Sequence, residues 1–180
     1  MDLQELQYEA SVCKQCNLYK NRNKPVFAKG SPESKIIICG MCPGPSENAV
    51  GLPFVGQSGK ILDKLISETI QGFPYITNLV KCYVPPGTVL TNKWMSRCLP
   101  YFIAQLKFIK PKVIVTLGGD VSNFLVNRNT FIGNLRGKQF KYLGIPVVCT
   151  YHPSYYVRGG GELHKHFEKG LDDFNFVNKI

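Results

Sequence analysis

Lys35-Ile36-Ile37-Ile38-Cys39-Gly40-Met41-Cys42-Pro43-Gly44 decides the fold of this chain. Residues 36–39 are an unbroken apolar run, the pattern of a strand buried on both faces. The run stops at glycine and proline, which end a strand and turn the chain. A second turn of similar composition follows, Gly51-Leu52-Pro53-Phe54-Val55-Gly56. Glycine has no Cβ, so both turns can bring bare backbone close to a flat or anionic ligand.

Outward from this stretch, strands and helices alternate. Apolar residues at helical spacing over residues 60–66 predict a helix. Residues 75–80 read as a second strand. Residues 93–109 read as a long helix carrying Trp94, Leu99, Phe102, Leu106 and Ile109, with Pro100 expected to kink or interrupt it. Residues 113–117 are a third strand, followed by Gly118-Gly119 and a short helix over 121–126. Residues 146–150 are a fourth strand. A last helix is expected over about 162–177, with Leu163, Phe167, Leu171 and Phe174 along one face and His164 and His166 at its surface. Gly159-Gly160-Gly161 reads as a turn. This order predicts one αβα sandwich domain over residues 1–180, with a central four-stranded parallel sheet. Ligands of such sheets bind beyond the carboxyl ends of the strands, where Gly40, Thr77-Asn78, Gly118 and His152 fall.

Composition restricts the partners. The 180 residues carry 22 Lys+Arg against 12 Asp+Glu, a net charge of +10. That charge favours nucleic acid first and an anionic membrane surface second. No apolar run approaches the ~20 residues of a membrane span. Met1-Asp2-Leu3-Gln4-Glu5 lacks the basic region and apolar core of a secretory signal, so an intracellular protein is expected. In a reducing compartment the seven cysteines are expected as ligands or buried thiols rather than disulfides.

Cys13-Lys14-Gln15-Cys16 is a CxxC pair, and Cys82 and Cys98 follow the second strand. Four thiolates hold zinc or an iron–sulfur cluster, and spacing alone leaves both open. Cys39-Gly40-Met41-Cys42 is a competing CxxC. Cys39 and Cys149, each within a core strand, are better read as small buried hydrophobes.

Several segments taken together resemble the iron–sulfur uracil-DNA glycosylases of family 4. They are Gly51-x-Pro53-Phe54-Val55-Gly56-x-Ser58-Gly59, Thr77-Asn78-x-Val80-Lys81-Cys82, Lys110-Pro111-x-Val113-Ile114-Val115-x-Leu117-Gly118, Arg136-Gly137 and Tyr151-His152-Pro153-Ser154. The resemblance runs over nearly the whole chain. It implies a monomer that excises uracil from single- or double-stranded DNA. It implies a four-iron, four-sulfur (4Fe-4S) cluster on Cys13, Cys16, Cys82 and Cys98, the third within Lys81-Cys82-Tyr83-Val84-Pro85-Pro86 and the fourth before Leu99-Pro100.

By the same resemblance Gly40 and Met41 border the substrate pocket. Phe54 is the platform on which the flipped base stacks, with a core phenylalanine as the plainer reading. Asn78 reads uracil, because a carboxamide can pair with O4 and N3–H together. His152 stabilises charge on O2 of the departing base. Ser154, Tyr155, Tyr156 and Arg158 lie in the loop that contacts DNA. Tyr155 or Tyr156 is expected as the wedge that fills the gap, and Arg158 on phosphate.

The first motif departs from the family. Family 4 usually has Gly-Glu-x-Pro-Gly, and here the glutamate is Met41. Cys42 stands where other glycosylase families place Asp or Asn to hold the attacking water. Glu47 matches a family acidic residue and is expected to line the pocket or polarise water. Met41 and Cys42 keep a second function open, a non-hydrolytic DNA- or uracil-binding accessory protein of replication or repair. A redox protein would explain the cysteines but leave Phe54, Asn78 and His152 without a role.

Overall fold

The computed structural model describes residues 2–161 and 164–180. Its sheet has six strands: β1 (Ala28–Lys29), β2 (Ile36–Gly40), β3 (Tyr75–Asn78), β4 (Val113–Leu117), β5 (Gln139–Tyr142) and β6 (Ile145–Thr150), in the order β1-β3-β2-β4-β6-β5. The inner four strands are parallel, as the sequence predicts. The two edge strands are antiparallel additions, which corrects the four-stranded expectation. β1 is only two residues long, too short to show a period. β5 joins β6 through Leu143-Gly144, both at positive φ (50° and 82°), the backbone of a tight hairpin turn.

Apolar strand residues alternate between two clusters, so both faces of the sheet are buried. Ile37, Cys39, Ile114, Val147 and Cys149 face one cluster. There they meet α4 (Asn92–Ile109), α5 (Gly119–Val126) and α6 (Ile132–Leu135). Ile38, Val113, Val115, Leu117 and Val148 face the other. They meet α3 (Gln57–Thr69), α7 (Pro153–Arg158) and α8 (Phe167–Val177). α1 (Leu3–Val12) is capped by Asp2, and its Leu6 and Ala10 pack with Tyr101 of α4. α2 (Pro45–Val50) completes the set. No helix among the described residues is long and apolar enough to cross a membrane.

Two expectations change in the helices. α4 runs through Pro100 without a break, because Tyr101, Phe102, Gln105, Leu106 and Ile109 beyond it are all buried. Their burial offsets the ~3 kcal/mol that an interior proline costs. The last helix begins at Phe167, and positions 162 and 163 of its expected start lie outside the described residues. His164 and His166 therefore precede the helix, half-buried. Their ring centroids lie 4.7 and 6.3 Å from that of Tyr155.

Asp173 of α8 is tied to Arg136, at the end of α6, by an ion pair, and to Thr150, at the end of β6, by a hydrogen bond. Arg136 donates from Nε and Nη2 to the two oxygens of Asp173, both at 3.0 Å. Thr150 Oγ1 donates to the same carboxylate at 2.7 Å. Asp173 is 2% exposed. Asp173→Ala strands the Arg136 guanidinium, and breaking such a pair costs about 3 kcal/mol or more. Urea denaturation should show a lowered midpoint with an unchanged slope.

Candidate active site

The site forms where β2 and β3 end side by side. Gly40 pairs with Asn78 in the sheet register. The backbone pairing then continues past the strands, Leu79 N–H to Gly40 C=O and Val80 N–H to Met41 C=O, each at 2.9 Å. A Cβ at Gly40 would lie 2.4 Å from Asn78 Oδ1 and 2.6 Å from Phe54 Cζ. Only glycine lets the carboxamide and the ring close over this strand end.

Phe54 sits in the left-handed region at φ 52°. Three contacts hold it there. Its carbonyl accepts from Lys29 Nζ at 2.9 Å. The same carbonyl lies 2.0 Å from where a Cβ on Gly59 would stand, so glycine is required there too. The next two peptide N–H groups, of Val55 and Gly56, donate to Glu47 Oε1 at 2.9 and 3.0 Å. The ring packs into the apolar core with Ile38 and Leu62 and still lines the cleft. Core packing therefore immobilises the ring that faces the cleft.

Glu47 also accepts from Gly44 N–H at 3.1 Å through Oε2. Its carboxylate thus bridges the two glycine-rich turns that flank α2. Three peptide N–H groups thus share a carboxylate that also lines the cleft, and one acceptor site on Oε2 is left over. A solvated glutamate and this bridge look alike in sequence, since the partners are backbone.

Asn78 is 2% exposed, lines the cleft, and its carboxamide makes no hydrogen bond to a described residue. Its backbone carbonyl accepts from Lys81 Nζ at 2.6 Å. That ammonium is itself buried, and it also donates to Thr77 Oγ1 and Gln105 Oε1, both at 2.7 Å. Burial pulls the lysine down to about 8, against the opposing pull of Cys98 and Cys39. The sequence marks Lys81 only as a neighbour of Cys82; its clamp on Asn78 depends on α4 supplying Gln105.

His152 is the N-cap of α7, and its Nδ1 accepts from Ser154 N–H at 3.1 Å. The proton of the neutral ring therefore sits on Nε2. Burial first, and then Arg158, lower its pKa to about 4, with Glu47 and Asp120 pulling the other way. The ring is neutral at physiological pH. It lies 6.0 Å from the Phe54 ring, centroid to centroid.

These residues border one open cleft of about 670 Å³. Met41, Cys42, Glu47, Phe54, Asn78 and His152 all line it, so the structure brings together what the sequence places far apart. Tyr83, Pro85 and Pro86 form a further wall, and Asp120 enters from α5. Neither Tyr83 nor Asp120 carried a signal in the sequence. Burial, with Asp120 nearby, raises the Cys42 thiol to about 11. Cys42 therefore stays protonated and cannot serve as a base.

The loop expected to meet DNA divides. Arg158 is exposed, and its Nη1 donates to Ser154 Oγ at 3.3 Å. Tyr155 is half-buried and stacked on Tyr151 with centroids 4.7 Å apart. Tyr156 is 0% exposed and packs edge-on against Phe167, which removes it as a wedge. The expectation fails there because α7 turns successive residues through about 100°.

A second cavity is lined by Cys13, Cys16, Cys82 and Cys98 together. Arg22 Nη1 donates to Cys82 Sγ at 3.1 Å, and Lys81 N–H to Cys98 Sγ at 3.3 Å. Arg97 completes a cationic surround. Among the described residues no three Cys, His, Asp or Glu are grouped to hold a single metal ion.

The model of the uracil DNA glycosylase superfamily matches residues 27–175. The chain belongs to that superfamily. A Type-4 uracil-DNA glycosylase of Pyrobaculum aerophilum is 35% identical over a 191-residue alignment that covers 97% of each protein. One of Thermotoga maritima is 35% identical, with 81% of this chain and 78% of the relative aligned. One of Saccharolobus solfataricus is 34% identical, with 81% and 73% aligned. These relatives place the chain in the type-4 group.

Glu47→Ala tests the bridge. Hydrogen bonds to a carboxylate contribute about 1.5–3 kcal/mol each. Amide hydrogen exchange at Val55 and Gly56 should accelerate at least about tenfold, while core amides of β4 stay protected.

Proposed function

We propose that the protein is a DNA repair glycosylase that hydrolyses the N-glycosidic bond of deoxyuridine in DNA and releases free uracil. The observation that carries this reading is the Asn78 carboxamide, which makes no hydrogen bond to a described residue and lines one cleft with Phe54 and a neutral His152. Its group in the superfamily and the names of its relatives support it.

The target nucleotide flips out of the duplex, or starts single-stranded, and enters the cleft. Uracil stacks on Phe54, a contact worth roughly 1–3 kcal/mol. The Asn78 amide donates to O4, and its carbonyl accepts from N3–H. Cytosine presents the opposite pattern at these atoms, so a carboxamide held in this orientation rejects it, and Lys81 fixes the Asn78 backbone that carries it. As the C1′–N1 bond lengthens, the sugar gains oxocarbenium character and negative charge gathers on uracil O2. His152 Nε2–H is the donor for that charge. A neutral imidazole donates without the desolvation cost of a buried cation. Arg158 holds a phosphate, and Tyr155 fills the gap left by the base.

Cys13, Cys16, Cys82 and Cys98 would hold a 4Fe-4S cluster. Each thiolate of such a cluster binds its own iron, so the sulfurs stand farther apart than around one zinc at ~2.3 Å. Four thiols lining one cavity, with the cationic groups of Arg22 and Arg97 beside them, suit an anionic thiolate-bound cluster. Its contribution is structural: it fastens α1 to the segment after β3. The protein works inside the cell as a monomer on uracil-containing DNA, within base excision repair.

Met41 and the protonated Cys42 favour a second reading, a protein that binds uracil in DNA without cleaving it. Uracil-containing single- and double-stranded oligonucleotides, treated with alkali to reveal abasic sites, separate the two. Strand breaks support the glycosylase; retention of uracil at stoichiometric protein overturns it. Asn78→Ala should lower both excision and binding. His152→Ala should lower excision about 100-fold with little change in affinity, because the charge it meets exists only in the transition state. Since His152 is neutral above about pH 4, excision should stay level from about pH 6 to 8. A rate that falls as pH rises through that range would mean an imidazolium donor. Protein purified without oxygen should be brown. Cys82→Ser should bleach it and Cys149→Ser should not; a colourless protein with stoichiometric zinc overturns the cluster.

A further inference from the structure

The cleft holds a carboxylate that neither the motifs nor the pocket chemistry has used. Among the described residues two acidic side chains line it, Glu47 and Asp120. Glu47 is committed to three backbone N–H groups. Asp120 makes no hydrogen bond or ion pair with a described residue and is exposed. It stands in the first turn of α5, directly after the strand-end glycines Gly118 and Gly119. Gly118 (φ 96°) brings this turn against His152: a Cβ there would lie 3.1 Å from the histidine Cβ.

The cleft continues past Met41 into an adjoining polar chamber of about 790 Å³, bordered by Asn123, Asn127 and Arg128. Met41 and Asp120 line both spaces. The junction between the base site and this chamber thus carries a thioether on one element and a free carboxylate on another. A group that orients the attacking water and accepts its proton assists the reaction, and neither the Met41 thioether nor a protonated Cys42 is a base.

We infer that Asp120 holds and activates the attacking water, supplying from α5 the carboxylate that the first motif lacks at Met41. The inference rests on the glycosylase reading above. In the step, the water oxygen forms a bond to C1′ as the C1′–N1 bond breaks. The bonding pair leaves with uracil, and a water proton passes to Asp120 and then to solvent. The electric field of Asp120 reaches both flanking groups, since it raises the pKa of Cys42 and opposes the lowering at His152. A plainer role for the residue is support of α5 through the helix dipole, worth about 0.3–1 kcal/mol. That role has no effect on the chemical step.

The test compares wild type, Asp120→Asn and Asp120→Ala in single-turnover excision at saturating protein. Affinity is measured in parallel on an oligonucleotide carrying 2′-fluorinated deoxyuridine, which resists cleavage. The inference expects the rate to fall about 100-fold in both variants. Affinity stays level or rises, because a negative charge facing DNA has been removed. Added azide, a nucleophile that needs no base, should restore uracil release by Asp120→Ala and leave an azido sugar. Wild-type rates in both variants overturn the role of Asp120 and leave the glycosylase reading standing. A rate loss that azide does not rescue, together with weakened binding, also overturns it. No excision by wild type overturns both.

Discussion

The site depends on one carboxylate that ties two turns together. Glu47 accepts hydrogen bonds from Gly44 on one side and from Val55 and Gly56 on the other. Turns rich in glycine are costly to order, because glycine loses more backbone freedom than any other residue. Charge-assisted hydrogen bonds offset that cost and fix both turns to one point. With the turns fixed, Phe54 is held at an unfavourable positive φ, with its ring against the core and facing the cleft. Gly40 and Gly59 are then obligatory, since a Cβ at either would strike atoms that cannot retreat.

The far wall is fixed by a buried charge. Lys81 brings an ammonium into the protein interior, which is favourable only when its donors are satisfied. Thr77, Asn78 and Gln105 satisfy them. The same residue's N–H reaches Cys98 Sγ, and the next residue is Cys82. One residue therefore joins the cysteine cavity to the peptide that carries the base-reading amide. Order in the cysteine-lined segment is transmitted to Asn78 through a few bonds, with no need for the cysteines to approach the substrate.

Charge is distributed to suit a reaction in which an anion departs. A neutral imidazole lines the cleft, and so does the Asp120 carboxylate, which has no partner among the described residues. The chain's +10 charge attracts DNA, and the cleft itself keeps few cations. Arg158 links the two sets of charges, since it also lowers the pKa of His152.

The sequence by itself determined the four parallel strands, because a two-sided buried strand is a local apolar run. It also determined the cysteines of the second cavity and placed Gly40, Phe54, Asn78 and His152 at strand ends or turns. Residue type and spacing alone left a competing CxxC open, and the order of the motifs along the chain singled these residues out. The edge strands escaped notice because β1 has two residues and the polar–aromatic alternation of β5, Gln139-Phe140-Lys141-Tyr142, lasts only four. What only the tertiary structure decided is which side each polar or aromatic group faces. Tyr155 and Tyr156 are neighbours of one type, yet helix rotation buries the second. Glu47 and Asp120 are both loop-side acids in sequence, yet backbone amides from two turns occupy one and leave the other open to the cleft. Partners that meet only across elements, such as Lys81 with Gln105 or Arg136 with Asp173, have no local signature, because their spacing along the chain carries no information about their spacing in space.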